Sequence, residues 1–205
     1  YDVTYGSNAD GIDVDFITRC KTFLSVGHDE YWDIRQYQAA ETAIERGVNY
    51  LWLSGNSVFI VSPFSDSASG SPKRTITREG CYGVLRNDEI ESYEAMFAGL
   101  RDTGLDERRI IGARSVVPFN GGGDWTCSNP QHWLFQGTGM KRGESIAGLV
   151  GWEHHGEPDL ERHGLQVLAE GSVWAGGTRE GKYAATIFPG GNGNFLFNAA
   201  TIFWS

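Results

Sequence analysis

The sequence predicts an α/β domain with a parallel-sheet core and antiparallel β additions. Three observations predict it. A strand–helix–strand pattern with short joints runs from Thr22 to Gly55, and such a crossover favours parallel pairing. Beyond it, short apolar runs are separated by Gly-rich joints, as antiparallel strands are. The 205 residues, 40% hydrophobic and 21% charged, can bury one sizeable core.

"YDVTY" (1–5) is a strand candidate, and "SNADGID" (7–13) is turn-rich. "TFLSV" (22–26) is an apolar run bounded by polar residues, as a buried strand would be. Asp33 is a fair N-cap for the helix that follows. In that helix Ile34, Tyr37, Ala40 (or Glu41) and Ile44 recur at helical spacing, and Gly47 closes it. "VNYLWLSG" (48–55) is the next strand, so His28 and Asn56 should lie at the same sheet edge. "SVFIVSPF" (57–64) leads into an exposed Ser/Gly/Pro loop, "SDSASGSPKR" (65–74), and "TITREGCYGVL" (75–85) alternates as a strand does. "EIESYEAMFAGLRDTG" (89–104) could hold a short helix. "RIIGAR", "HWLFQG", "SIAGLVGW", "LQVLAEG", "KYAATIFPG" and "FLFNAAT" are short strand candidates. The 28 glycines are spread along the chain and read as turns rather than a linker, which makes residues 1–205 a single domain.

The formal charge of −9 argues against a nucleic-acid partner or an anionic membrane surface. No apolar run approaches the roughly 20 residues that span a bilayer. Cys20, Cys81 and Cys127 are widely spaced and form no Cys-x-x-Cys pair. They fit buried thiols in a reducing, cytoplasmic compartment, with one disulfide in a secreted protein as the alternative. The sequence has no Gly-x-Ser-x-Gly elbow, phosphate loop or dinucleotide fingerprint, which removes the enzymes built on them.

Three segments carry candidate chemistry. In open parallel sheets, ligands bind beyond the carboxyl ends of the strands, and "SVGHDEYW" (25–32) sits at such an end. Gly27 would allow a sharp turn that aims His28 and Tyr31 into one pocket, with Trp32 packed beneath. Asp29 and Glu30 would favour the helix N-terminus and orient His28. The competing account makes Tyr31 and Trp32 core aromatics. "LSGNSVF" (53–59) brings Asn56 to the next strand end, either to orient a substrate or as an ordinary turn. "GWEHHGEPD" (151–159) resembles a metal shell in density but matches no zinc spacing, and an exposed polar loop is the alternative. Within it Glu153 is nearest the strand end. Glu94, alone, would be a solvated helix residue.

The segment "GHDEYW", then a helix, then "RGVNYLWLSGNSVF" resembles the C-terminal domain of the N,N-dimethylformamidase large (beta) subunit and its relatives. "LVGWE" and the closing "NFLFNAATIFWS" resemble later segments of that family, and the abrupt start at Tyr1 fits a domain whose N-terminal part is missing. The resemblance implies a fold related to class I glutamine amidotransferases, without their cysteine nucleophile. It also implies an iron-dependent amidase with tyrosine and glutamate ligands. On this family pattern Tyr31 and a glutamate would be metal ligands, Glu94 or else Glu153, with a second tyrosine upstream of the chain or at Tyr5. His28, Asn56 and Glu153 would be catalytic. Ionising a tyrosine at pH 7 costs roughly 4 kcal/mol, a cost that ferric iron recovers and a weakly held Mg²⁺ does not. The implied partners are a small-molecule amide and other chains of an oligomer. The alternatives are a non-catalytic relative and a carbohydrate- or ligand-binding module within a larger assembly, the sugar reading resting on seven Trp.

Overall fold

The computed structural model describes residues 2–83, 101–115 and 121–204. A one-turn helix α1 (Val14–Ile17) precedes β1 (Thr22–His28), β2 (Tyr31–Trp32), α2 (Ile34–Glu45) and β3 (Asn49–Gly55). The chain continues through β4 (Ile60–Val61), β5 (Phe64–Ser65), β6 (Thr75–Ile76), β7 (Gly80–Cys81), β8 (Arg101–Asp102), α3 (Arg108–Ile111) and β9 (Ala113–Ser115). It closes with β10 (Gly123–Thr126), β11 (Ser145–Val150), β12 (His155–Pro158), β13 (Gln166–Ala175), β14 (Thr178–Pro189) and β15 (Phe195–Asn198).

The main sheet has the order β1-β3-β15-β14-β13. β1, β3 and β15 are parallel, and β14 and β13 extend the sheet antiparallel. The fold is therefore mixed α/β, as predicted, with strands outnumbering helices. The first crossover follows from its sequence. Asp33 caps α2 by accepting from Arg35 N at 2.8 Å, and Gln36 Oε1 accepts from Asp33 N at 3.0 Å, closing a capping box. Tyr37, Ala40 and Ala43 form a buried stripe three residues apart, which packs with Tyr50 and Trp52 of β3, Phe188 and Leu196 in the larger core. Gly47 ends the helix at φ 95°, a conformation that costs glycine little. On the other face, Leu51 and Leu53 pack with Ile187 and Phe197, while Leu24 and Val26 on edge strand β1 stay half exposed.

Asp33 is buried and also accepts from Phe64 N at 3.0 Å and from the Arg35 guanidinium at 2.6 Å. Asp33→Ala removes the cap and leaves a loop amide unpaired, so about 2 kcal/mol of stability should be lost. Chemical denaturation with an unchanged m-value would register it.

Several expected elements differ. Residues 2–6 form no strand, and Val3 and Tyr5 are exposed. In "RIIGAR" the two isoleucines sit in α3, which Gly112 ends at φ 82°, and the strand starts only at Ala113. "HWLFQG" is a 3₁₀ turn over Trp133–Phe135, whose Leu134 N is capped by the His132 ring. Both runs are too short for their periodicity to separate strand from helix. The helix expected within 89–104, and Glu94 with it, lies largely outside the described residues. Among the described residues no cysteine is in a disulfide, and no helix is long and apolar enough to cross a membrane.

Candidate functional site

His28 ends β1 directly opposite Gly55 in the β1–β3 register. The sheet therefore delivers His28 and the turn beginning at Gly55 to the same carboxyl-end edge, where parallel sheets place ligands. Gly27 has φ 76°, so the strand bends just before His28. The two residues between β1 and β2, Asp29 and Glu30, carry the chain past His28, and the Glu30 side chain comes back to the imidazole.

His28 Nε2 lies 3.1 Å from Glu30 Oε2 and 3.2 Å from Glu153 Oε1. The imidazole is 42% exposed, whereas the two glutamates are 4% and 2% exposed. The ring thus stands at the mouth and the carboxylates behind it. With both carboxylates ionised, both can only accept, so the ring must carry its proton on Nε2. The other oxygens, Glu30 Oε1 and Glu153 Oε2, are buried without a hydrogen-bond partner among the described residues. Burial pushes Glu153 up to about 7 against the pull of His28, and the neighbouring Glu30 adds to the rise. Glu30 is raised for the same first reason, burial, which His28 and Arg78 oppose.

The remaining members of the segment hold this pair in place. Asp29 accepts from Ser25 Oγ at 2.6 Å and from Trp32 Nε1 at 2.9 Å, and burial raises its pKa. Trp32 is in the core, as expected. Tyr31 is half-buried, with its ring centroid 6.0 Å from that of His28. Burial raises its phenol pKa, and the carboxylates of Glu30 and Glu153 add to this.

Glu153 arrives from 125 residues further along. Its carbonyl accepts from Ile202 N at 3.2 Å. It also lies against Gly55, where any side chain would intrude. Asn56 follows, fully buried at φ 50°. The cluster "GWEHHGEPD" is no exposed loop: Glu153, His154 and His155 are all buried. Burial holds His154 and His155 at about 4, so both are neutral at pH 7.

Residues 1–205 match the family described as N,N-dimethylformamidase beta subunit-like, C-terminal. The chain belongs to this family. No individual curated protein matches it. For a dimethylformamidase-like domain, the structure brings His28, Glu30 and Glu153 together, and their ligand atoms lie within 4.8 Å of one another. Tyr31 adjoins them, Asn56 lies in the facing turn, and Tyr5 is 92% exposed. Glu94 lies outside the described residues. Sequence reasoning gave Glu30 two parts, favouring the helix end, which Asp33 in fact caps, and orienting His28, from whose Nε2 it lies 3.1 Å. What it missed is that Glu30 shares that nitrogen with Glu153. The His-x-Glu spacing at a strand end was the available signal.

Proposed function

We propose that this domain hydrolyses a small amide at the His28–Glu30–Glu153 cluster. The observation that carries the proposal is geometric: one imidazole at the mouth of the strand-end site faces two buried carboxylates, each with an unpartnered oxygen. Family membership supports the reaction class and a multi-subunit assembly, and the parallel β1–β3–β15 core is compatible with a glutamine amidotransferase-like relationship.

The donors fit a hard cation, because two carboxylates and an imidazole lie close enough to share one. Glu30 would hold it, with Tyr31 as the further ligand that the family resemblance implies, which leaves Glu153 and His28 beside it for proton transfer. Ferric iron, when bound, supplies Lewis-acid polarisation of the amide carbonyl. Glu153 takes the proton of the attacking water: burial makes its carboxylate more basic than an exposed one, and its second oxygen is without a partner among the described residues. His28, the exposed member, passes a proton to the departing amine from its doubly protonated form, and Glu153, 3.2 Å away, returns to the ring the proton it took from water. Asn56 supports the carbonyl site from the buried turn.

The test is to incubate the purified protein with N,N-dimethylformamide, with and without added ferric or ferrous iron. NMR should then show formate and dimethylamine in equal amounts. A metal-loaded protein that releases neither product from this or other small tertiary amides refutes the proposal.

A further inference from the structure

The turn from Gly55 to Phe59 is unusually constrained. Asn56 and Val58 both have positive φ, 50° and 54°. For Val58, β-branched and fully buried, this is a strained conformation that persists only when surrounding contacts enforce it. On one side, Val58 N donates to Asp29 O at 3.0 Å, and Phe59 N and Ile60 N donate to Glu30 O at 2.9 and 3.0 Å. On the other side, Gly55 lies against the Glu153 carbonyl and Ser57 N donates to His155 Nε2 at 2.9 Å. The turn therefore joins the backbone carrying Glu30 to the backbone carrying Glu153.

The tautomer of His155 is fixed by its own partner. Asn198 Oδ1 accepts from Ala200 N at 2.8 Å, and its Nδ2 donates to Ala184 O at 3.1 Å, so the amide cannot be turned over. That same Oδ1 lies 2.6 Å from His155 Nδ1, which must therefore donate. Nε2 is left as the acceptor that the Ser57 amide requires. Every step is buried, with His155, Asn198 and Ser57 all at 0% exposure.

We propose that His155 is a positioning residue, whose Asn198-fixed Nε2 acceptor anchors the strained turn and so sets the separation of Glu153 from the His28–Glu30 pair. It touches no reacting atom. Its part in turnover rests on the amidase reading, whereas its hold on the turn does not.

The test compares His155→Leu, which keeps bulk but has no acceptor, with His155→Gln, which keeps an acceptor in reach of Ser57 N. Hydrogen exchange at the Ser57 amide should quicken about tenfold or more in His155→Leu and recover most of its protection in His155→Gln. The His28 ring signals in NMR should shift in the Leu variant and lie close to wild type in the Gln variant. Where amide hydrolysis is measurable, the Leu variant should lose about tenfold or more in kcat with KM little changed. Should the Leu variant fail to fold, the Gln variant decides alone: Ser57 protection and His28 signals near wild type uphold the proposal, and their loss overturns it. Wild-type Ser57 protection and wild-type His28 signals in a folded Leu variant would also overturn it. An inactive wild type would sink the amidase reading and leave the exchange and NMR results to decide the positioning role.

Discussion

Replacing Glu153 with glutamine should lower amide hydrolysis by about 10²–10⁴-fold while the fold survives. Glutamine has the same shape, and its side-chain oxygen can still accept from His28 Nε2, which lies 3.2 Å from Glu153 Oε1. What is lost is the group that can take a proton from water. Stability should change in the opposite sense. Burial raises Glu153 from 4.5 to about 7, so the folded state resists its ionisation. Folded pKa above unfolded pKa means that this group's contribution is full below about 4.5 and is lost as pH rises through about 7. The glutamine variant lacks that slope and should melt no lower than wild type at pH 8. Near-normal hydrolysis by Glu153→Gln would remove Glu153 from the chemistry.

Gly55→Ala should cost about 3 kcal/mol, the upper part of the range for inserting a methyl into a packed core. A β-carbon at Gly55 would fall well inside contact distance of the Glu153 carbonyl oxygen and 2.8 Å from Ile202 N. These are backbone atoms, and neither can swing aside as a side-chain end could. Ile202 N donates to that same carbonyl, so the intrusion also opens a hydrogen bond. The displaced Glu153 should then leave His28, lowering activity beyond what the loss of stability explains. Urea unfolding reads the first effect, and kcat on the residual folded protein reads the second. A variant within 1 kcal/mol of wild type would show that the Glu153 backbone yields.

Where the chain's local pattern matched its tertiary surroundings, the structure was legible. Asp33, the Tyr37–Ala40–Ala43 stripe and Gly47 specify α2 without outside help, and α2 joins two apolar runs with short joints. That placed β1, β3, His28 and the Asn56 turn correctly. The site's second half was less legible. Glu153 could be singled out by its position after an apolar run, but nothing local showed that it meets His28. Likewise His155 looked solvated among charged neighbours, because its partners Ser57 and Asn198 lie 98 and 43 residues away. Burial of a polar residue is decided by such distant partners, and a single sequence does not display them.

The position of β15 has a consequence for how the domain is made. Phe195–Asn198 lies between β3 and β14, pairing with Tyr50–Trp52 on one side and Thr186–Pro189 on the other. The strand at the middle of the sheet is thus made after all the strands it joins. Until it emerges, the N-terminal crossover and the β13–β14 hairpin have no common strand to join them. The crossover must wait for it while residues 56–194 are made, at about 5–20 residues per second. Translation that stalls between Pro189 and Phe195 leaves a nascent chain with two half-sheets and no native way to join them. This domain should therefore depend on chaperones that act near the exit tunnel more heavily than one whose central strands are made first.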